Sequence, residues 1–513
     1  MKEVYTIGLD VGTSGCKAII VDNNGIIIDK AVEEYPLYTP NPGWSEQNPE
    51  DWWQAAVNSI CRLLEENDIN PDAVKGIGLS GQMHGLVAVD ADDKVLRPAI
   101  LWNDQRTAKQ CRDILNAVGG KEELIKYTNN TMLPGYTAGK ILWLREHEPQ
   151  IYDRAEIFLN PKDYIRFKFT GVYATEVSDA SGTGLFDVEH RRWNNKLLDI
   201  LDISKELLPP CYESTDVTGK IRDRVAEEIG LNKGLPVVGG GGDAVTQTTG
   251  TGLIKEGILG TTIGTAGIVA MGLDNFKFNQ TGKLQLFCNN APDKWHIMGV
   301  NLSAGGAYQW YRDKLCRYEK KQAEKTGDDI YDILEEEINA TSPGSKNLIF
   351  LPYLIGERCP HPDPLAKGAF IGLTLRHTHA DLTRAVQEGV IYNLRQIYDL
   401  ILSIDPDLKV SEIRTSGGGA LSPGWRQIQA DIFQLPVKTM SGSSEGGAYG
   451  AALLAGVGTG IRDSVEEAVS LLKVETETLP DPDNAEIYDN LYGVYKELYT
   501  NLKGSFEQIA VFE

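Results

Sequence analysis

One short pattern constrains this chain more than any other: Gly12-Thr13-Ser14-Gly15 and Gly264-Thr265-Ala266-Gly267 stand about half a chain apart in 513 residues. Each follows an apolar strand-like stretch, Val4 to Leu9 or Ile258 to Ile263, and each precedes another, Cys16 to Val21 or Ile268 to Met271. A strand–turn–strand unit recurring at this separation suggests a duplicated architecture of two similar domains. Four matching residues also arise by coincidence, so the repeat needs support from the rest of the chain. The length fits two domains better than one, and we place them at residues 1–250 and 251–513.

The patterning elsewhere is α/β. Asp22-Asn23-Asn24-Gly25 is a hairpin turn leading to a third strand from Ile26. Helical periodicity marks 49–67, 105–117, 137–148, 161–169, 303–318, 380–402, 423–434, 444–457 and 484–505. Strands at 348–351 and 412–416 fall between helices, and 474–485, rich in Asp, Glu, Thr and Pro, reads as an exposed connection. Glycine turns close several strands, which is where open α/β sheets bind ligands.

A formal net charge of −22 argues against nucleic acid or an anionic membrane as partner. It does not argue against a nucleotide, which needs only local backbone donors. Seven scattered cysteines without a CxxC pair predict reduced thiols and a cytoplasmic location. No apolar run is long enough to span a bilayer. His377 and His379 form a close pair with no third ligand nearby in sequence, and read as surface residues.

Chemistry concentrates at the glycine turns. There is no GxxxxGK[ST] motif, and Gly76-Ile77-Gly78-Leu79-Ser80-Gly81 leads toward another strand rather than a helix, unlike a dinucleotide fingerprint. Asp10 ends a buried strand just before Gly12, Thr13 and Ser14. Backbone N–H groups of such a turn can hold phosphate oxygens, Lys17 can add a cation, and the Asp10 carboxylate can hold Mg²⁺ through water. An ordinary hairpin with an Asp in its turn has the same residues. Gly239-Gly240-Gly241-Gly242-Asp243 joins a strand, Leu235 to Val238, to a helix from Ala244. Four glycines are entropically expensive and suit a backbone approaching a ligand; Asp243 as a plain N-cap would not need them. Gly305-Gly306 before a helix carrying Gln309, and Gly417-Gly418-Gly419 after a strand, follow the same logic or are simple punctuation.

Two longer motifs carry a resemblance. Gly135, Thr137, Lys140, Ile141, Trp143, Leu144, Glu146 and His147 fit one signature of the FGGY carbohydrate kinases. Gly368, Phe370, Gly372, Leu373, Asp381, Leu382, Ala385, Val386 and Glu388 fit the second, with Gln387 standing where that family usually has an apolar residue. The chain therefore resembles that family from about residue 4 to about residue 457. The resemblance implies an α/β, two-domain actin/hexokinase-like ATPase fold, with duplicated ribonuclease H-like domains and a cleft between them. It implies ATP and Mg²⁺ as cofactors, a small sugar as the other partner, and allows a homodimer. Asp243 would be the general base and Asp10 the Mg²⁺ carboxylate. Gly12, Thr13, Ser14, Lys17, Gly264 and Thr265 would contact phosphates. Gly305, Gln309, Gly418 and Gly419 would line the adenosine side, and Met83, His84, Trp102, Asp104 and Asp243 would bind sugar. Gly81-Gln82-Met83-His84-Gly85, Leu101-Trp102-Asn103-Asp104 and Trp44-Ser45-Glu46-Gln47 look like the branch that phosphorylates D-xylulose. A glycerol kinase would carry Arg-Glu at Met83-His84, Tyr at Gly135 and Gln at Ala244. Ala244 also departs from the Asn of bacterial D-xylulose kinases. Gluconate, ribulose or a related sugar is the alternative substrate, and a protein-binding actin-like ATPase the alternative class.

Overall fold

The computed structural model describes residues 3–512. Tyr5–Val11 and Gly15–Asp22 pair antiparallel around the first GTSG turn. Asp22 Oδ1 then accepts the N–H groups of Asn24 and Ile26, at 2.8 Å each, and turns the chain into Ile27–Glu34. Asn48 caps Pro49–Glu66, whose proline sits at the first turn, where its missing N–H is no loss. Trp52, Trp53, Ile60 and Leu63 of that helix bury against the strands. Gly76–Gly81 lies inside the strand Val74–Gly81, and Val87–Asp90 is again a strand, so the GxGxxG match opens no helix.

The chain divides into two units. One comprises the chain up to Lys255 with Gly272–His296 and Glu445–Leu472; the other comprises Glu256–Met271, Ile297–Ser444 and the chain from Lys473. In the first unit the strand order is Val217–Lys220, Pro236–Val238, Val74–Gly81, Tyr5–Val11, Gly15–Asp22, Ile27–Glu34. In the second, six strands follow as Val474–Thr478, Val437–Met440, Glu412–Ser416, Ile258–Ile263, Gly267–Leu273, Trp295–Asn301. The directions correspond as well. Each GT[SA]G hairpin is antiparallel, its first strand pairs parallel with the strand on its other side, the next is again parallel, and the edge strand is antiparallel. The four-residue repeat thus belongs to a repeated sheet.

Val474–Thr478 corrects a sequence expectation, since it is this edge strand rather than an irregular connection. Its Val-Glu-Thr-Glu-Thr run alternates β-branched and charged residues, and the exposed glutamates suit a sheet edge. The helix Gly446–Gly458 packs on the first sheet at backbone contact distance. A Cβ on Gly8 would lie 1.9 Å from the Ala448 carbonyl oxygen, and one on Gly78 1.9 Å from that of Ala451. Among the described residues no helix is long and apolar enough to cross a membrane, and none of the seven cysteines forms a disulfide.

Candidate active site

Sheet register places the two candidate carboxylates. Asp10 pairs with Ser80 on the parallel neighbouring strand, and Ser80 pairs with Gly241 on the next segment. Two strand spacings separate Asp10 from Gly241, about 10 Å, and Asp243 follows two residues on. Both carboxylates therefore rise from the carboxyl ends of parallel strands. Asp10 Oδ1 is buried and has no hydrogen-bond partner. Burial raises the Asp10 pKa, opposed by Ser80 and Lys17. Asp243 opens the helix Asp243–Thr249; the capping position is Gly242, which has no side chain to cap with. The Asp243 carboxylate accepts the Ala244 N–H at 2.7 Å and also the Met83 N–H. Desolvation, then repulsion from Asp10, lifts its pKa from the ordinary 3.8 to about 7. A carboxyl that titrates near neutrality beside a second carboxylate is suited to accepting a proton.

The four glycines before Asp243 serve packing rather than an open ligand approach. Gly240 has φ +72°, and a Cβ there would sit 1.9 Å from the Leu79 carbonyl oxygen. Cβ atoms on Gly241 and Gly242 would meet Asn290 and Thr246, or Met83. The Gly242 N–H donates to Ser178 Oγ at 3.0 Å, and Ser178 in turn donates to Glu176 at 2.8 Å. Glu176, Asp163 and Asp179 surround the fully buried Lys162, whose Nζ lies 2.6–3.5 Å from the three carboxylates. The start of the Asp243 helix is thereby fixed to a buried ionic cluster that sequence reasoning missed.

Met83 is buried against Gly242. His84 holds φ +70° and stacks on Tyr136 with ring centroids 4.7 Å apart. Its Nδ1 lies 2.6 Å from the Gly182 carbonyl oxygen, which can only accept, so Nδ1 carries the hydrogen. The His84 carbonyl accepts from Thr137 and from Lys140 Nζ at 2.6 Å. Lys140 is wholly buried, also holds the Gly135 carbonyl at 2.6 Å, and has its pKa pushed down to about 7 by desolvation. Trp102 is 43% exposed and donates its indole N–H to Thr13 Oγ1 at 2.9 Å. Asp104, by contrast, is fully buried, with both oxygens taken by Ser45 and Arg106.

The two GT[SA]G turns are anchored alike. The Gly12 carbonyl accepts from Tyr35 and Gln82, the Thr13 carbonyl from Gln47, and the Ser14 carbonyl from the Tyr35 N–H. In the second unit the Gly264 carbonyl accepts from the Gly305 N–H and the Thr265 carbonyl from those of Ala304 and Gly306. A trans peptide sets each following N–H opposite its carbonyl, so the amides of Thr13, Ser14, Thr265 and Ala266 point away from these anchors. Lys17 is ion-paired with Glu445 at 3.0 Å, another partner the sequence did not disclose.

In the second unit Gly264, Thr265, Gly305, Gln309, Gly418 and Gly419 line one cavity of about 510 Å³. Sequence reasoning missed its aromatic wall, where Tyr308 stacks on Tyr331 at 5.9 Å and meets Trp425 edge-on at 5.6 Å. His379 is not the bare surface residue expected. It ion-pairs with Glu337 at 3.0 Å and Glu319 at 3.5 Å, and Cys316 lies close enough to complete a possible ligand group. The Cys316 and Glu337 hydrogen bonds raise the imidazole pKa to about 10, so the ring is itself the cation there.

Residues 5–250 match the model of the FGGY family of carbohydrate kinases, N-terminal domain, and residues 260–459 match that family's C-terminal domain. The chain belongs to the FGGY family of carbohydrate kinases. It is 36% identical over 500 residues to the xylulose kinase of Bacillus subtilis, covering 97% of each chain. It is 32% identical over 510 residues to the gluconokinase of the same organism, covering 99% of this chain and 98% of that protein. The solved structure of a ligand-bound xylulose kinase from Lactobacillus acidophilus superposes with a TM-score of 0.90 at 29% identity, covering 98% of this chain and 99% of the other. The fold is that of the FGGY sugar kinases, and the protein is a phosphotransferase acting on sugars. FGGY kinases take ATP as phosphate donor. The unpartnered, buried Asp10 Oδ1 is the kind of oxygen that suits the hydrated cation accompanying such a nucleotide.

Proposed function

We propose that this FGGY kinase transfers the γ-phosphoryl group of ATP to the C5 hydroxyl of D-xylulose. The observation that carries the proposal is Asp243, held at a helix start with a pKa near neutrality, on a chain whose similar proteins include several xylulose kinases. Asp243 accepts the hydroxyl proton as that oxygen bonds to the γ-phosphorus and the bond from phosphorus to the β-phosphate oxygen breaks. Met83, His84 and Trp102 hold the sugar. Asp104 acts through the loop that bears Trp102, because its own oxygens are occupied. The Thr13 and Ser14 amides with Gly12 and Lys17, and Gly264 with Thr265, face the phosphates. Gly305, Gln309, Gly418 and Gly419 enclose the adenosine. Asp10 would hold Mg²⁺ through water, and that ion would offset phosphate charge. Residues 1–250 thus supply the sugar site, the base and part of the phosphate contacts, and residues 251–513 the adenosine side and the remaining phosphate contacts.

Gluconate is the second reading, favoured by the gluconokinase relative. Coupled ADP release over a panel of D-xylulose, gluconate, ribulose and glycerol separates the two. D-xylulose should exceed glycerol in kcat/KM by at least about 10²-fold. A clear preference for gluconate, or ADP release without any sugar, would overturn the assignment.

A further inference from the structure

Gln387 lies in the middle of the helix His379–Leu402, is completely buried, and lines the cavity of about 510 Å³ in the second unit. Neither its Oε1 nor its Nε2 meets hydrogen-bond geometry with any protein group. The Tyr308 phenol is a polar neighbour but does not satisfy the amide. A buried carboxamide with both ends unmet is destabilising by itself. Because Gln387 lines the cavity, a molecule entering it can complete the amide.

We propose that Gln387 reads the base edge of the nucleotide and is a specificity-determining residue for the phosphate donor; this rests on the reading of the cavity as the nucleotide site. A carboxamide offers one donor and one acceptor side by side. Adenine presents the complementary pair, its 6-amino group next to a ring nitrogen, and a glutamine amide can engage both at once. A base without the 6-amino group leaves Oε1 unpaired in a buried site, which such sites reject strongly.

The test compares ATP with purine riboside triphosphate, in which hydrogen replaces the 6-amino group, under saturating sugar. The wild-type protein should favour ATP by at least about 10-fold in kcat/KM. Gln387→Leu should shrink that preference to within about 3-fold by raising KM for ATP, with a melting temperature no lower than wild type. Gln387→Met provides a second apolar variant of similar volume should the leucine disturb packing. Gly418→Val is the control, because a Cβ there meets no protein atom within 4 Å and so adds bulk only to open space. It should raise KM for both nucleotides alike and leave their ratio intact. If Gly418→Val changes neither KM, the nucleotide site lies elsewhere and both readings fall. If it raises KM while wild type and Gln387→Leu discriminate equally, Gln387 alone is removed from base recognition.

Discussion

Replacing Asp243 with asparagine should abolish sugar phosphorylation and yet stabilise the protein at alkaline pH. Asparagine keeps an oxygen to accept the Ala244 N–H, which the carboxylate now accepts at 2.7 Å, so the helix start retains its local bond. What disappears is the charge and the capacity to take a proton. Loss of a general base lowers kcat by about 10²- to 10⁴-fold. The stability effect follows from linkage. The folded-state pKa is raised from 3.8 to about 7, by burial first and by Asp10 second. Below pH 4 the carboxyl is protonated whether the chain is folded or not, and folding carries no penalty. As pH climbs toward 7 the unfolded chain ionises freely while the folded chain resists, so wild-type stability falls; above about 7 the loss is complete.

The full shift would correspond to a ceiling of roughly 4 kcal/mol. The side chain is partly exposed, and solvent screening reduces this to an expected 1–2 kcal/mol or so. In a protein this long that is a gain of only about one to three degrees in melting temperature. The assay is therefore paired: coupled ADP release at pH 8, and melts of both proteins at pH 5 and pH 8. The variant should be inactive, and its margin in melting temperature should widen from pH 5 to pH 8. A plain capping residue would behave oppositely, losing about 0.5–2 kcal/mol while activity survives. A variant that keeps more than a tenth of wild-type kcat, or melts earlier than wild type at pH 8, refutes the role assigned to Asp243.

Three further outcomes follow from the same geometry. The free enzyme's kcat/KM should drop about tenfold per pH unit below about 7, since only ionised Asp243 accepts a proton; Asp10→Asn removes the neighbouring negative charge and should move the Asp243 titration, followed by infrared carboxyl bands, to lower pH. Lys140→Met frees the carbonyls of His84 and Gly135, so KM for sugar should rise by about tenfold while KM for ATP holds; equal effects on both substrates would place Lys140 outside sugar binding.

The duplicated sheet was legible from eight residues, because a tight turn between two apolar strands leaves a mark in sequence. Asp10 and Asp243 were legible as candidates for a related reason: Asp10 lies at the end of a strand just before a glycine turn, and Asp243 follows a glycine run at the start of a helix. What stayed hidden depends on contacts distant in sequence. Glu445 ion-pairs with Lys17 and Lys30 across more than four hundred positions, and nothing local marks a glutamate as a partner. Lys162 stands in the first turn of a helix, where a lysine is ordinarily exposed, yet it is fully buried among three carboxylates. Asp104 stands beside Trp102 in sequence, but Arg106 claims its oxygens and turns it away from ligand contact. Gly446-Gly447 at a helix start was the missed local signal. A Cβ on Gly447 would lie 2.9 Å from the Asp10 carboxylate, so that glycine marks the site from the opposite end of the chain.

The glycines at 239–242 have a different cause from the one their sequence suggests. Sequence reasoning took four glycines to mean a ligand close to the backbone. In the structure Gly240 is pressed on Leu79, Gly241 on Asn290 and Thr246, and Gly242 on Met83. They nonetheless bear on chemistry, because that close packing seats Gly241 beside Ser80, and Ser80 beside Asp10, in one row across the sheet. The repulsion from Asp10 that helps lift Asp243 toward neutrality depends on this row. Side chains in place of these glycines would push the Asp243 helix off the sheet, weaken that coupling and let its pKa fall back toward 3.8. The glycine run therefore tunes the Asp243 carboxyl by bringing protein to protein, and its titration is a property of the sheet's register as much as of its own helix.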